Sequence, residues 1–175
     1  MGFTAAGIAF NTVTNESTAG ADDASQLMPL GFELTRESPV ADEGMQTWIY
    51  VKAEGALTTG MVVGRKTNTG TAYEGAGYIN VIPCADAAPP AMVVGICVHA
   101  IGDNGYGFVM KKGICTVKAG PGTIDINEGL IPADDGGGHA GFAETTAAAS
   151  DACFGFALEN GADDALPKCY VNCQG

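Results

Sequence analysis

The sequence predicts an all-β fold, an antiparallel β-sandwich or β-barrel of about eight to ten short strands, preceded by an extended N-terminal arm. Three observations predict it. The 26 Gly and 8 Pro of the 175 residues are spread along the chain and punctuate short apolar runs, the composition of a protein with many turns. Asn104-Gly105 sits between an apolar run and an aromatic one, and such a pair accepts the positive φ of a tight hairpin. The run Met92 to Ile101 is apolar at both odd and even positions in its first part, so a strand there needs cover on two sides and the sheet needs a second layer.

The stretch Met92 to Ala119 reads as a three-stranded meander, with turns at Asn104-Gly105 and Lys112-Gly113. That register sets His99, Met110 and Cys115 abreast on one face, with Ile101, Phe108 and Val117 in the next row. This face is the expected core, together with Trp48 and Val51 of the run Thr47 to Ala53, which alternates with period two. Cys97 lies on the His99 face of its own strand. Further strands are expected at Met61 to Val63, Tyr78 to Ile82 (ended by Pro83), Ile124 to Ile126, Leu130 to Pro132, Ala152 to Glu159 and Lys168 to Asn172. Few windows escape Gly and Pro long enough for a helix, and the best of them, Phe142 to Phe154, makes at most a short one.

Two regions follow from the composition. Residues 1–45 are small and polar with sparse apolar islands and form the arm; residues 46–175 form the core domain. The arm either lies across its own domain or crosses to a neighbouring subunit. If it crosses, Phe3, Ile8, Phe10, Leu30 and Phe32 are its anchors, since large apolar groups carry most interface energy.

Charge excludes some partners. A formal charge of −12 with only eight Lys and Arg argues against nucleic acid, whose phosphates need clustered cations. No apolar run approaches the ~20 residues of a spanning helix, so no membrane role is expected. The first basic residue is Arg36, which does not suit a signal peptide, and the Met1 start reads as a product of the cytoplasm. Free thiols are therefore the expectation for Cys84, Cys97, Cys115, Cys153, Cys169 and Cys173. In the meander Cys97 and Cys115 flank the Phe108 strand, roughly 9.5 Å apart and too far for a disulfide; a link between Cys169 and Cys173, or to Cys153, stays open.

The residues offer no catalytic constellation, metal site or cofactor motif. The four serines, Ser17, Ser25, Ser38 and Ser150, stand in loop-like stretches without a nucleophile elbow. His99 is two residues from Cys97 on one strand, ~7 Å along, a poor geometry for proton transfer, and reads as a structural histidine. Asp134 to His139 lacks the spacing of a calcium hand, and Cys169-x-x-x-Cys173 is half a zinc site without a second half. The Gly75-x-Gly77 and Gly105-x-Gly107 pairs lack the strand-then-helix context of a phosphate loop.

The run Trp48-Ile49-Tyr50-Val51-Lys52-Ala53-Glu54-Gly55-Ala56-Leu57-Thr58-Thr59-Gly60-Met61-Val62-Val63 resembles a segment recurrent in capsid decoration (cement) proteins of tailed bacteriophages, cyanophages among them. The order of Val94-Gly95-Ile96, Gly105 to Val109, Gly113 to Val117, Gly129 to Ile131 and Gly155 to Glu159 is similar too. The resemblance covers roughly Thr47 to Val171, and the six cysteines depart from it. It implies a structural, non-enzymatic homotrimer that binds the major capsid protein on the outer surface of the virion, at three-fold or quasi-three-fold positions, and stabilises the head. The alternative is a receptor- or glycan-binding β module of a phage tail or fibre, with Tyr73, Tyr78 or Tyr106 as sugar platforms; tyrosines packed under the sheet cannot serve that role.

Overall fold

The computed structural model describes residues 26, 28–66, 80–85, 88–133, 138–146 and 152–174. Ten strands are described: β1 (Glu33–Glu37), β2 (Met45–Ala53), β3 (Val62–Arg65), β4 (Asn80–Pro83), β5 (Val93–Ile96), β6 (Tyr106–Thr116), β7 (Gly129–Pro132), β8 (Ala143–Thr146), β9 (Gly155–Ala157) and β10 (Lys168–Asn172). Among the described residues the only helical element is a short 3-10 turn, Pro90–Met92, and no helix is long and apolar enough to cross a membrane. The fold is all-β. Its strand order is β1-β2-β4-β3-β5-β6-β10-β9-β7-β8, and β2 also pairs with β6. That last pairing closes β2, β4, β3, β5 and β6 into a five-stranded barrel, with the other strands outside it. All pairs are antiparallel except β2 with β4.

Alternation on β2 explains how the barrel is filled. Ile49, Val51 and Ala53 gather with Val63, Val81, Val94 and Val109, one cluster fed by all five barrel strands. This is the barrel interior, small enough for side chains alone to fill. Trp48 and Tyr50 point the other way and join Phe108, Met110, Leu130, Phe154 and Val171 in a larger cluster between the barrel wall and the strands outside it. Both faces of the wall are thus apolar and covered, as the sequence of β5 demands. The link between layers is also hydrogen-bonded: the Val62 amide donates to the Gly141 carbonyl and the Gly141 amide to that of Cys84.

The meander is corrected at two places. Lys112-Gly113 is not a turn; β6 runs straight through it for 11 residues. Its first half pairs with β2 inside the barrel, Trp48 facing Met110, and its second half pairs with β10, Cys115 facing Cys169. Thr47 faces Lys112, so Lys111 is an extra residue on β6, a bulge that bends the strand out of the barrel. Gly113 serves that departure: its φ is +131°, and a Cβ there would lie 3.1 Å from Gln46 Cγ and 3.3 Å from the Met45 carbonyl oxygen. Gly113→Val should therefore destabilise by about 2–3 kcal/mol through backbone strain and crowding, read as a lower urea midpoint at unchanged m-value.

The second correction is on β5. Val63 faces Gly95 and Gly64 faces Val93, which leaves Val94 as an extra residue. This bulge sends Val93 and Ile96 outward and Val94 inward, and past Ile96 the chain leaves the sheet. His99, Met110 and Cys115 are therefore not abreast. Met110 and Cys115 follow one another on β6, and His99 lies in the loop beyond β5. Cys97 and Ile101 belong to the interior, Phe108 and Val117 to the interlayer core.

Other elements differ in detail. Ala143–Thr146 of the expected helix is strand β8, paired with β7, and residues 147–151 of that window lie outside the described residues. Ile124 makes an isolated bridge to Gly161, because Thr123 and Asn127 on either side have positive φ and interrupt the extended run. Pro83 pairs as the last residue of β4, opposite Val63. Within the expected arm, β1 pairs in register with β2, Leu34 facing Trp48.

Candidate interaction surface

The thiols and histidine come first, since they are the groups with chemistry to offer. The Cys97 thiol donates to the backbone carbonyl of His99 at 2.6 Å, not to its ring, and burial pushes its pKa up to about 12. The half-buried His99 ring stacks on Trp48 at 6.1 Å; burial, then the Arg36 charge, lowers its pKa. A thiol held protonated beside an imidazole that faces away is no nucleophile and base pair. Burial likewise raises Cys84 to about 11 and Cys169 and Cys173 to about 12, and Cys115 well above its ordinary value. All six cysteines are free, and only Cys153 is exposed. One thiol per chain should therefore react promptly with Ellman's reagent at pH 8, and Cys153→Ser should abolish that fast phase.

Of the remaining polar groups, Glu54 holds Lys66 and Asn80 through its carboxylate. The Lys66 hydrogen bond is the largest cause of its lowered pKa, and the arrangement ties β4 to the end of β2. The His139 ring meets Phe142 edge-on at 5.2 Å, while residues 134–137 of its acidic cluster lie outside the described residues. No group of three or more His, Cys, Asp or Glu fit to hold a metal occurs among the described residues.

The arm anchors divide in two. Leu30 packs half-buried against the interlayer core. Phe32 stays 43% exposed while its ring meets Phe108 edge-on at 6.5 Å. The Gly31 amide donates to Tyr50 and the Tyr50 amide to Phe32, so this part of the arm docks on its own chain. Phe3, Ile8 and Phe10 lie outside the described residues. Of the residues expected in the core, Trp48, Val51, Cys97, Phe108, Met110, Cys115 and Val117 are buried, and His99 is half-buried. Tyr106 stacks on Tyr50 at 6.3 Å and is half-buried against the interlayer core; Tyr73 and Tyr78 lie outside the described residues.

What remains is a surface. Where β6 leaves the barrel, β6, β10 and β9 lie side by side with Cys115, Cys169 and Ala157 in one row, buried toward the core. The next row, Ile114, Tyr170 and Phe156, faces outward by the period of the strand. Phe156 is 44% exposed, and its ring stacks on Tyr170 at 5.1 Å. Lys112 and Asn172 flank the row on one side, Thr116 and Lys168 on the other. Lys168 is paired with Glu43 at 3.2 Å. The row is thus an apolar strip within a mixed polar rim, the anatomy of a protein contact. Sequence reading missed it because Ile114 and Tyr170 stand 56 positions apart, though the alternation Cys169-Tyr170-Val171 already turned Tyr170 away from its buried neighbours.

No protein-family model and no curated protein matches the chain. Among solved structures it is similar to the N-terminal base of the head fiber gp8.5 of bacteriophage phi29, at 14% identity, covering 73% of this chain and 94% of that one with a TM-score of 0.48. A score below 0.5 leaves this a loose likeness of shape.

Proposed function

We propose that the protein is a non-enzymatic structural component of a tailed-phage head, a decoration protein that binds the outer capsid surface and stabilises the shell. The observation that carries the reading is the outward row Ile114, Tyr170 and Phe156 on the outer face of β6, β10 and β9. The sequence resemblance of Trp48 to Val63 and the segments after it supplies the class of partner, the major capsid protein. The acidic balance of −12 suits a protein that stays off packaged DNA. Such a protein binds the assembled lattice better than separated coat subunits and adds to shell stability by mass action. In this reading three copies associate about a three-fold or quasi-three-fold position of the virion, after synthesis in the host cytoplasm.

The test is to mix the purified protein with expanded, decoration-free tailed-phage capsids and image the particles. Added density at three-fold or quasi-three-fold positions supports the proposal. No association at micromolar protein overturns it.

A further inference from the structure

The ends of three barrel strands bring an amine, a carboxamide and a carboxylate together. Asn80 opens β4 opposite Lys52 of β2. On its other side Lys66 directly follows β3, and the Lys66 amide donates to the Asn80 carbonyl at 3.0 Å. The two residues therefore continue the antiparallel ladder as neighbours on one face. Glu54 directly follows β2 and is held there by its amide, which donates to the Val81 carbonyl at 2.8 Å. Its carboxylate bridges the pair, with Lys66 Nζ donating to Oε2 and Asn80 Nδ2 donating to Oε1. Two nitrogens held by the two oxygens of one carboxylate lie within about 6 Å of each other, by the usual lengths of such bonds. Asn80 is only 8% exposed and the Glu54 side chain 18%.

We propose that Lys66 Nζ and Asn80 Cγ are the partners of an intramolecular amide bond, formed by the folded chain itself with Glu54 as the group that moves the proton. The Lys66 ammonium gives a proton to Glu54 Oε2, and the freed lone pair attacks Asn80 Cγ, forming the new C–N bond. The carboxyl group turns and hands its proton to Nδ2, the Cγ–Nδ2 bond breaks, and the leaving nitrogen departs as ammonium with the second proton of the former lysine ammonium. The sum converts a lysine ammonium and a carboxamide into a secondary amide and an ammonium ion, and leaves Glu54 as it began. Placing nucleophile, acyl group and proton carrier in one spot supplies the high effective concentration that such a step needs. Lys66 is the open end of the group, its side chain 42% exposed. Its ammonium stays hydrated, so the bond forms over days in the folded protein and not during folding. The product closes residues 66–80 into a covalent ring and fixes β3 to β4 beside the end of β2.

The test is the intact mass of the purified, folded protein held at pH 8 for two weeks. The chain should become lighter by one ammonia, and a protease digest should yield a branched peptide joining Lys66 to Asn80. Lys66→Arg, which keeps the positive charge beside Glu54, should give no branched peptide. Glu54→Gln should form it at least tenfold more slowly. Lys52→Arg, which alters the lysine on the other side of Asn80, should form it at the unmodified rate. A succinimide at Asn104-Gly105 or Asn160-Gly161 loses the same mass but leaves a linear peptide that hydroxylamine cleaves. Full mass after two weeks, ammonia loss carried only by linear peptides, or a branched peptide that forms as fast in Glu54→Gln, overturns the inference.

Discussion

Taken from pH 8 to about pH 10.5, the protein should lose most of its stability, and the cause is its buried thiols. A thiol whose folded pKa is raised resists deprotonation in the fold, while the unfolded chain releases its proton near the ordinary value of 9.0. Between those values the folded state holds more protons than the unfolded one, so stability is intact below about pH 9 and falls as pH rises toward the folded pKa. Burial raises five thiols in this way, those of Cys84, Cys97, Cys115, Cys169 and Cys173. At 1.36 kcal/mol per unit, about 1.5 units of pH costs about 2 kcal/mol per thiol and about 10 kcal/mol for the five. That is comparable to the ~5–15 kcal/mol stability of an ordinary domain. Urea midpoints measured at steps between pH 8 and pH 10.5 should fall steeply, and Cys97→Ala should fall less steeply from its own lower start. A midpoint that holds level through pH 10.5 contradicts the assignment of these thiols to the protonated interior.

Truncation of Phe108 should be the most damaging single change in the aromatic core. Its side chain is buried on the outer wall of the barrel, 5.1 Å from Tyr50 and 6.5 Å from Phe32 by ring centroids. It therefore joins barrel, neighbouring strand and arm at one point. Phe108→Ala is expected to cost about 3–5 kcal/mol and to lower Tm by roughly 10 °C for a chain of this size. Phe156→Ala removes the same atoms from a half-open position and should cost far less. Thermal denaturation of the two variants side by side separates them; equal losses would mean that the interlayer core does not hold the layers together.

How far the sequence reveals this architecture depends on the range of the interactions involved. The period-two alternation of Thr47 to Ala53 sorts Ile49 and Val51 from Trp48 and Tyr50, and in the fold they occupy opposite faces of one wall. The run around Val93 to Ile96, apolar on both sides, already requires two layers. The local signal fails where one residue is inserted into a ladder. The extra Val94 shifts the alternation, so a register counted from Asn104-Gly105 sends His99 to the wrong place. Gly113 misleads for a related reason: positive φ suits a hairpin turn and a strand bend equally, and only the crowding of Gln46 and Met45 against it distinguishes them. β1 and β8 escape notice because Glu33–Glu37 and Ala143–Thr146 carry little apolar surface and become strands by pairing at the sheet edges. The outward row needs Ile114, Tyr170 and Phe156 from three strands, a long-range juxtaposition that no window of sequence contains.

The most direct measurement of the central claim is cosedimentation of the protein with expanded, decoration-free capsids, comparing the unmodified chain with Phe156→Asp. Charge placed within the apolar row should weaken binding at least tenfold, while Tm stays within a few degrees because Phe156 is exposed in the free protein. Equal binding by the two proteins, at equal Tm, would contradict a head-binding role for the Ile114, Tyr170 and Phe156 row.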